Sequence, residues 1–268
     1  MKARKIYSTA LLAVLGVSTL GAPLLASAEA GSLTSKGSVK VEEGTAGGTD
    51  TPTVDPENPG ETLPDPDPDS PGENKNPDTG SLVLERTTDL NFGTIKTSAN
   101  DVEAFAAPVT FNDKAKTRGA YVQWADVRAG GTYGYTVQAQ LTKQFTSGAN
   151  VLKGATLDFS NGMVAAQAQT NDSTAMSQAV PGNVKNAFTL TDTDGAEGPA
   201  VTVVTADKTA KEGKGRLTME FGQSADSKTG TPSTDDKSVK LTVPAATATD
   251  MVKGDYEAEV KWSIVAAE

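Results

Sequence analysis

Apolar and polar residues alternate along several short runs of the chain from Ser81 onward. In the clearest run every second residue is apolar: Tyr256, Ala258, Val260, Trp262 and Ile264. Successive side chains of a strand point to opposite faces, so a period of two predicts a half-buried β-strand. A second run behaves in the same way, with Tyr133, Tyr135 and Val137 on its apolar face.

Short runs of this kind, bounded by turn residues, predict most of the secondary structure. The predicted strands are Leu82–Leu84, Ala104–Phe111, Gly119–Val127, Tyr133–Thr142, Ala155–Phe159, Phe188–Thr191, Ala200–Val204, Arg216–Phe221, Ser238–Val243 and Tyr256–Val265. Their number and spacing predict an all-β domain over residues 81–268, built as a β-sandwich or as a barrel-like fold.

Two polar stretches interrupt the alternating pattern and predict long inserted loops. Residues 165–183 could include a short helix, whereas residues 223–237 are expected to form a mobile loop. Long loops on a β scaffold often contact partners.

The N-terminal third of the chain has a different character. Residues 1–28 combine a basic start, an apolar stretch and Ala26-Ser27-Ala28, which predicts a cleaved secretory signal peptide. Residues 29–80 are expected to form a disordered linker. Eight of the fourteen prolines and eight acidic residues fall between Thr51 and Gly80, a composition that favours an extended chain. The linker is interpreted as a passive spacer or as a docking strip for a basic partner.

Composition and charge exclude several kinds of function. The chain contains neither histidine nor cysteine, which removes the usual general base and the thiolate and imidazole metal ligands. The net charge of −10 opposes binding to nucleic acid. No segment after the signal peptide is apolar enough to span a membrane. We therefore expect a non-catalytic exported protein without a cofactor or a metal.

Two groups of carboxylates are possible sites of other chemistry. Asp192, Asp194 and Glu197 could bind calcium, but a turn stabilised by Asp side chains explains them as well. Glu257 and Glu259 share the polar face of one strand and could in principle hydrolyse a glycan. Surface strands carry such pairs routinely, so catalysis is not expected.

The two aromatic strands resemble motifs of the WxL surface proteins of Gram-positive bacteria. The distal motif stands here as Tyr256 followed by Trp262-Ser263-Ile264. The proximal motif stands as "WADVRAGGTYGYTVQAQL", with Tyr135-Thr136-Val137 in the place of Trp-x-Leu. "LVLERTTDLNFGTIKT" resembles the opening of the family's domain.

This resemblance implies non-covalent attachment to the cell wall, with peptidoglycan as the ligand, on the extracellular surface of a Gram-positive bacterium. It also implies possible partners: a membrane-anchored WxL-interacting protein, other WxL proteins and host extracellular proteins. A component of such a surface complex is the alternative to a wall-binding protein.

Aromatic rings stack on sugars and carry polar groups that reach hydroxyls and amides, so the motif residues are the candidate ligand contacts. The candidates are Trp262, Ile264, Tyr256, Tyr133, Tyr135, Val137, Trp124, Asp126 and Arg128. Each has a structural alternative: the aromatic and aliphatic side chains could form the core, and Asp126 and Arg128 could form an ion pair.

Overall fold

The fold is taken from a computed structural model, which describes residues 33–111, 116–167 and 180–267. The chain divides into two compact units, Met1–Lys40 and Val41–Glu268. The described residues of the first unit, 33–40, contain no helix or strand. All the elements below belong to the second unit.

Antiparallel strands dominate the second unit. The first half contains β1 (Ala46–Gly47), β2 (Thr53–Val54), β3 (Thr62–Leu63), β4 (Glu73–Lys75), β5 (Thr79–Gly80), β6 (Leu82–Thr88), β7 (Val102–Phe105), β8 (Val109–Thr110), β9 (Thr117–Arg118), β10 (Ala120–Asp126) and β11 (Tyr135–Ser147). The second half contains β12 (Asn150–Val151), β13 (Thr156–Phe159), β14 (Gly162–Ala166), β15 (Asn183–Val184), β16 (Phe188–Leu190), β17 (Val201–Ala206), β18 (Gly215–Phe221), β19 (Val239–Val243), a short helix α1 (Ala245–Thr249) and β20 (Glu257–Ala266).

Among the described residues, three sheets of four or five strands enclose the core. The first sheet has the order β14-β18-β10-β6-β4, and the third has the order β16-β13-β19-β7. The second sheet runs β12-β11-β17-β15, with β20 added along the other edge of β11. The all-β fold predicted from the alternating pattern is confirmed, and each of the ten predicted strands overlaps a strand of the structure.

The alternating pattern places one apolar face of each sheet in a common core. Along β11 the residues alternate between buried and partly exposed positions, so one face is buried and the other meets solvent. Strand β10 is buried at every position, because its two faces are covered by different parts of the protein. Val122 and Trp124 join the main core, whereas Tyr121 and Gln123 lie on the opposite face.

The opposite face of the first sheet is covered by residues 44–80, which we call the covering segment. Its Asp55 is fully buried and accepts two hydrogen bonds from Arg118, at 2.8 and 2.6 Å. The backbone N–H of Val54 donates to the side chain of Gln123 at 2.7 Å, and Tyr121 donates to Glu73 at 2.8 Å. Strand β4 of this segment extends the first sheet by pairing with β6.

A disordered linker is predicted over residues 29–80, but the covering segment within it is folded. The prediction assumed that the acidic residues repel one another and remain in water. In the structure, Asp55 and Glu73 instead pair with buried Arg118 and Arg86. Charge neutralisation of this kind permits the burial of ionised side chains. The folded part therefore begins before Ser81.

The two predicted loops have different outcomes. Residues 168–179 lie outside the described residues. The short helix considered for residues 165–183 therefore stays a prediction. Residues 223–237 contain no strand or helix, as expected, and hydrogen bonds attach this loop to other parts of the domain. Gln223 is fully buried and donates to the carbonyl of Asn161 at 3.0 Å, and the Ser224 hydroxyl donates to Glu57 at 2.6 Å.

Candidate functional site

The two aromatic motif strands are neighbours in one sheet. Strand β20 pairs with β11 in antiparallel register, which sets Ile264 opposite Val137 and Trp262 opposite Ala139. The proximal and distal motifs, which are far apart in sequence, therefore form one structural unit.

The proximal motif lies in the core. Trp124, Tyr135 and Val137 each have a relative exposure of 0 %. The indole of Trp124 donates to the Tyr135 hydroxyl at 2.7 Å, and that hydroxyl donates to the carbonyl of Gly213 at 3.1 Å. Burial raises the pKa of Tyr135, so its hydroxyl remains a neutral donor. These three side chains present no surface to a ligand of the folded protein.

Gly213 permits the close approach of the Tyr135 hydroxyl. A Cβ atom at this position would lie 2.6 Å from the hydroxyl oxygen, and the residue has a φ of +81°. Glycine is the residue that adopts this backbone conformation without strain. The end of the hydrogen-bonded chain from Trp124 therefore requires a glycine.

Asp126 and Arg128 form the ion pair considered from the sequence. The carboxylate of Asp126 is buried and accepts from Arg128 Nη2 at 2.7 Å and from Lys214 Nζ at 3.0 Å. Burial opposes the ionisation of Asp126, but the hydrogen bonds from Arg128 and Lys214 outweigh it and lower its pKa. Arg128 also donates to the carbonyl of Gly134 at 3.1 Å, which ties the loop before β11 to β10.

Tyr133 remains partly exposed beside this ion pair. The ammonium groups of Lys214 and Lys211 lie 5.1 and 5.8 Å from the centre of its ring. Both distances are within the range of a cation–π interaction. Two lysines of the same chain therefore form cation–π contacts with the ring of Tyr133.

The distal motif keeps part of its aromatic surface accessible. Trp262 packs against three phenylalanines of the other two sheets, with ring centres at 6.2 Å from Phe159, 6.4 Å from Phe188 and 6.0 Å from Phe221. Trp262, Ile264 and Tyr256 are nevertheless all partly exposed. Tyr256 donates its hydroxyl to the carbonyl of Val252 at 2.9 Å, which fixes the ring beside the strand.

A pocket of about 400 Å³ lies between β20 and the end of β6. Seven of the chain's fourteen aromatic residues line it. They are Phe92, Tyr121, Phe145, Phe159, Phe221, Tyr256 and Trp262. Asn74, Asp89 and Glu257 are among the polar lining residues. The volume is that of a small-ligand site.

Pairing between β11 and β20 is irregular close to this pocket. The register shifts between Leu141 and Lys143 and again between Lys143 and Thr146. Bulges of this kind bend a strand and increase its twist. The shifts fall between Glu257 and Val260, two residues of β20 that line the pocket.

A family comparison agrees with this geometry. The chain matches the family described as "WxL domain surface cell wall-binding" over residues 28–267, which is nearly its whole length. The chain belongs to the WxL family. No curated protein and no solved structure matches it. The matched region of this WxL domain includes the covering segment as well as both aromatic strands.

Asp192, one of the carboxylates that the sequence marked as a possible calcium ligand, has a structural role in this WxL domain. Asp192 accepts a hydrogen bond of 2.7 Å from the backbone N–H of Gly195, as expected for a turn stabilised by an Asp side chain. Within residues 33–111, 116–167 and 180–267, no group of three or more acidic side chains could hold a metal ion. No described helix is long and apolar enough to cross a membrane.

The pocket includes residues that sequence reasoning did not select. Of the nine candidate contacts, Tyr256 and Trp262 line it. Phe159 and Phe221 end two predicted strands, and Phe145 follows a third, but none of them was a candidate for binding. Phe92 belongs to the opening of the domain and was not a candidate either. The sequence does show several aromatic residues near the ends of predicted strands. It does not show that these residues come together in one pocket.

Proposed function

We propose that this WxL domain holds the protein at the cell wall without a covalent bond, by binding peptidoglycan in the pocket between β20 and β6. The main observation that supports this proposal is that the distal motif contributes Tyr256 and Trp262 to an accessible aromatic pocket. Family membership supports binding to the wall, and the pocket supports this position for the contact.

The pocket's chemistry suits a wall fragment. Phenylalanine, tyrosine and tryptophan rings pack against the apolar faces of sugars and against aliphatic stems of peptides. Asn74 and Asp89 add hydrogen-bonding groups at the side of the pocket formed by β4 and the end of β6. A few polar groups around an apolar floor are typical of sites that orient a small ligand.

The test is co-sedimentation of residues 29–268 with protein-free sacculi from a Gram-positive bacterium. Tyr256→Ala removes a pocket ring that is only partly buried, and we expect binding to weaken about tenfold. Phe105→Ala is the matched control, because Phe105 is an aromatic residue with 45 % exposure that does not line the pocket. If wild type fails to bind, or if both variants bind like wild type, this location of the wall site is wrong.

Membership of a surface protein complex is a second candidate function, and the outer edge of the third sheet favours it. Strand β7 pairs only with β19 among the described strands. Its Phe105 lies on the exposed face of this edge strand. A strand of a partner, such as a membrane-anchored WxL-interacting protein, could add to β7. Phe105→Ala would then weaken capture of that partner and leave sedimentation with sacculi unchanged.

A further inference from the structure

The pocket has an unusual charge distribution for a wall-binding site. Its described lining residues include the carboxylates Asp89 and Glu257 but no lysine or arginine. Neither carboxylate forms an ion pair with a described residue. Glu259, two positions further along β20, is by contrast 3.5 Å from the ammonium group of Lys143. The described lining of the pocket therefore carries two negative charges and no positive charge.

The aromatic lining has the same electrostatic preference. The face of an aromatic ring is negative, so it attracts a cation within about 6 Å of the ring centre. Phe92 and Tyr256 are partly exposed rings of this lining. Together with Asp89 and Glu257, they favour a ligand that carries a positive charge on an apolar stem. A phosphate-rich polymer would be repelled.

The backbone of β20 favours a peptide as the ligand that carries the positive charge. Strand β20 pairs only with β11 among the described strands, so backbone groups along its other edge have no ladder partner there. An extended peptide can hydrogen-bond to such an edge. A sugar chain has no comparable series of amide groups on its main chain. The pocket residues Glu257, Ala258, Val260 and Trp262 belong to this strand, and Tyr256 directly precedes it.

We propose that the pocket binds a peptide stem of peptidoglycan through a free side-chain ammonium group, which sits between the aromatic lining and the carboxylates of Asp89 and Glu257. This inference rests on the proposed wall-binding function and adds the chemical group that is recognised. The ammonium group of a diamino acid in the stem has the required charge and an aliphatic arm.

The test compares untreated sacculi with sacculi whose amines have been acetylated. The protein samples are wild-type residues 29–268, the double variant Asp89→Asn/Glu257→Gln, and Glu259→Gln as the control on the same strand. Both changes in the double variant keep the side-chain shape, and the amide oxygen introduced at position 89 could still accept the hydrogen bond from Asn74. Each sample is checked for an unchanged melting temperature before binding is measured.

Acetylation should weaken wild-type binding about tenfold, and the double variant should bind untreated sacculi with the same loss. The double variant should not respond further to acetylation, and Glu259→Gln should behave like wild type. Equal wild-type binding to both kinds of sacculi would overturn the ammonium proposal and leave wall binding intact. Absence of wild-type binding to untreated sacculi would overturn both proposals.

A third preparation distinguishes the peptide from the glycan. Glycan strands that an amidase has freed of their peptide stems are coupled to beads through their reducing ends, so that any deacetylated glucosamine keeps its amine and the preparation still sediments. We expect wild-type binding to fall on this preparation to the level of the double variant. Binding that persists there and is still lost on acetylation would show that the amine belongs to the sugar, and the peptide assignment would be wrong.

Discussion

Trp124 and Tyr135 are joined edge to face in the core, with ring centres 6.5 Å apart and a hydrogen bond of 2.7 Å from the indole to the hydroxyl. This pair connects β10 of the first sheet with β11 of the second. The proximal aromatic motif thus joins two sheets of the domain, while the distal motif supplies the pocket.

Tyr135→Phe should destabilise the domain without weakening the wall binding of the folded molecules. The change leaves the Trp124 indole and the Gly213 carbonyl without a buried partner, which costs about 2–6 kcal/mol for two such groups. Urea unfolding measures the free energy, and sedimentation with sacculi measures binding. Tyr133→Phe is the control, because Tyr133 is only partly buried. Loss of binding at full stability would contradict the core assignment.

Asp126→Asn should lower stability at neutral pH by about 2–4 kcal/mol, because Arg128 and Lys214 lose a buried carboxylate. Since the pKa of Asp126 is lowered in the folded state, its contribution is present above the unfolded value of 3.8. The contribution is lost as the pH falls through the folded pKa.

Unfolding of wild type and Asp126→Asn between pH 3 and pH 7 checks this sign, as the difference between them should shrink towards the acid end. Asp255→Asn provides a comparison at an exposed carboxylate. A difference independent of pH would mean that packing, rather than charge, explains the role of Asp126.

Glu220→Gln should have the opposite pH dependence and should stabilise the domain above about pH 5. Glu220 is fully buried under the covering segment, and its Oε2 has no hydrogen-bond partner in the described structure. Burial, followed by the charge of Glu57, raises the pKa of Glu220 well above its ordinary value. The wild-type contribution is therefore complete below the unfolded pKa and is lost as the pH rises towards the folded pKa.

The stability advantage of Glu220→Gln should therefore grow with pH, by at most about 1.4 kcal/mol per pH unit for one proton. Thermal unfolding from pH 4 to pH 8 measures this trend. Glu103→Gln serves as the exposed control. An advantage that is constant over this range would indicate that Glu220 is ionised in the folded protein.

Removal of the covering segment should destabilise the domain. A chain that begins at Ser81 lacks Asp55 and Glu73, so Arg118 and Tyr121 lose their partners and the outer face of β10 meets water. Breaking a buried ion pair alone costs about 3–5 kcal/mol. A chain that begins at Val41 retains these contacts and is the matched control. Equal melting temperatures for the two chains would show that the segment adds no stability.

The sequence predicted the strands well because alternation directly reports one-sided burial. Strand β20 shows this clearly, since the residues from Tyr256 to Trp262 alternate in exposure as they alternate in polarity. The covering segment could not be predicted in the same way. Its proline and aspartate content describes an extended chain, but the partners that neutralise Asp55 and Glu73 lie in distant strands.

The candidate site was predicted only in part, for a related reason. Strand periodicity shows that Tyr135 and Trp262 face inward, but not that β11 is central while β20 lies at an edge. That difference buries the first ring and leaves the second partly exposed. Asp89 carries no sequence signal of its own, because its place in the same pocket as Tyr256 depends on how β6 ends near β20.

The register between β11 and β20 also affects when the protein becomes able to bind. Thr142 and Glu259, which meet across these strands, are 117 positions apart in the chain, and the pocket takes further residues from β4, β6, β10, β13 and β18. Contacts between such remote segments form late in folding, since loop closure precedes them. If the wall ligand binds in this pocket, incompletely folded molecules will lack affinity for the wall and will diffuse away. Attachment would then select for molecules that have finished folding.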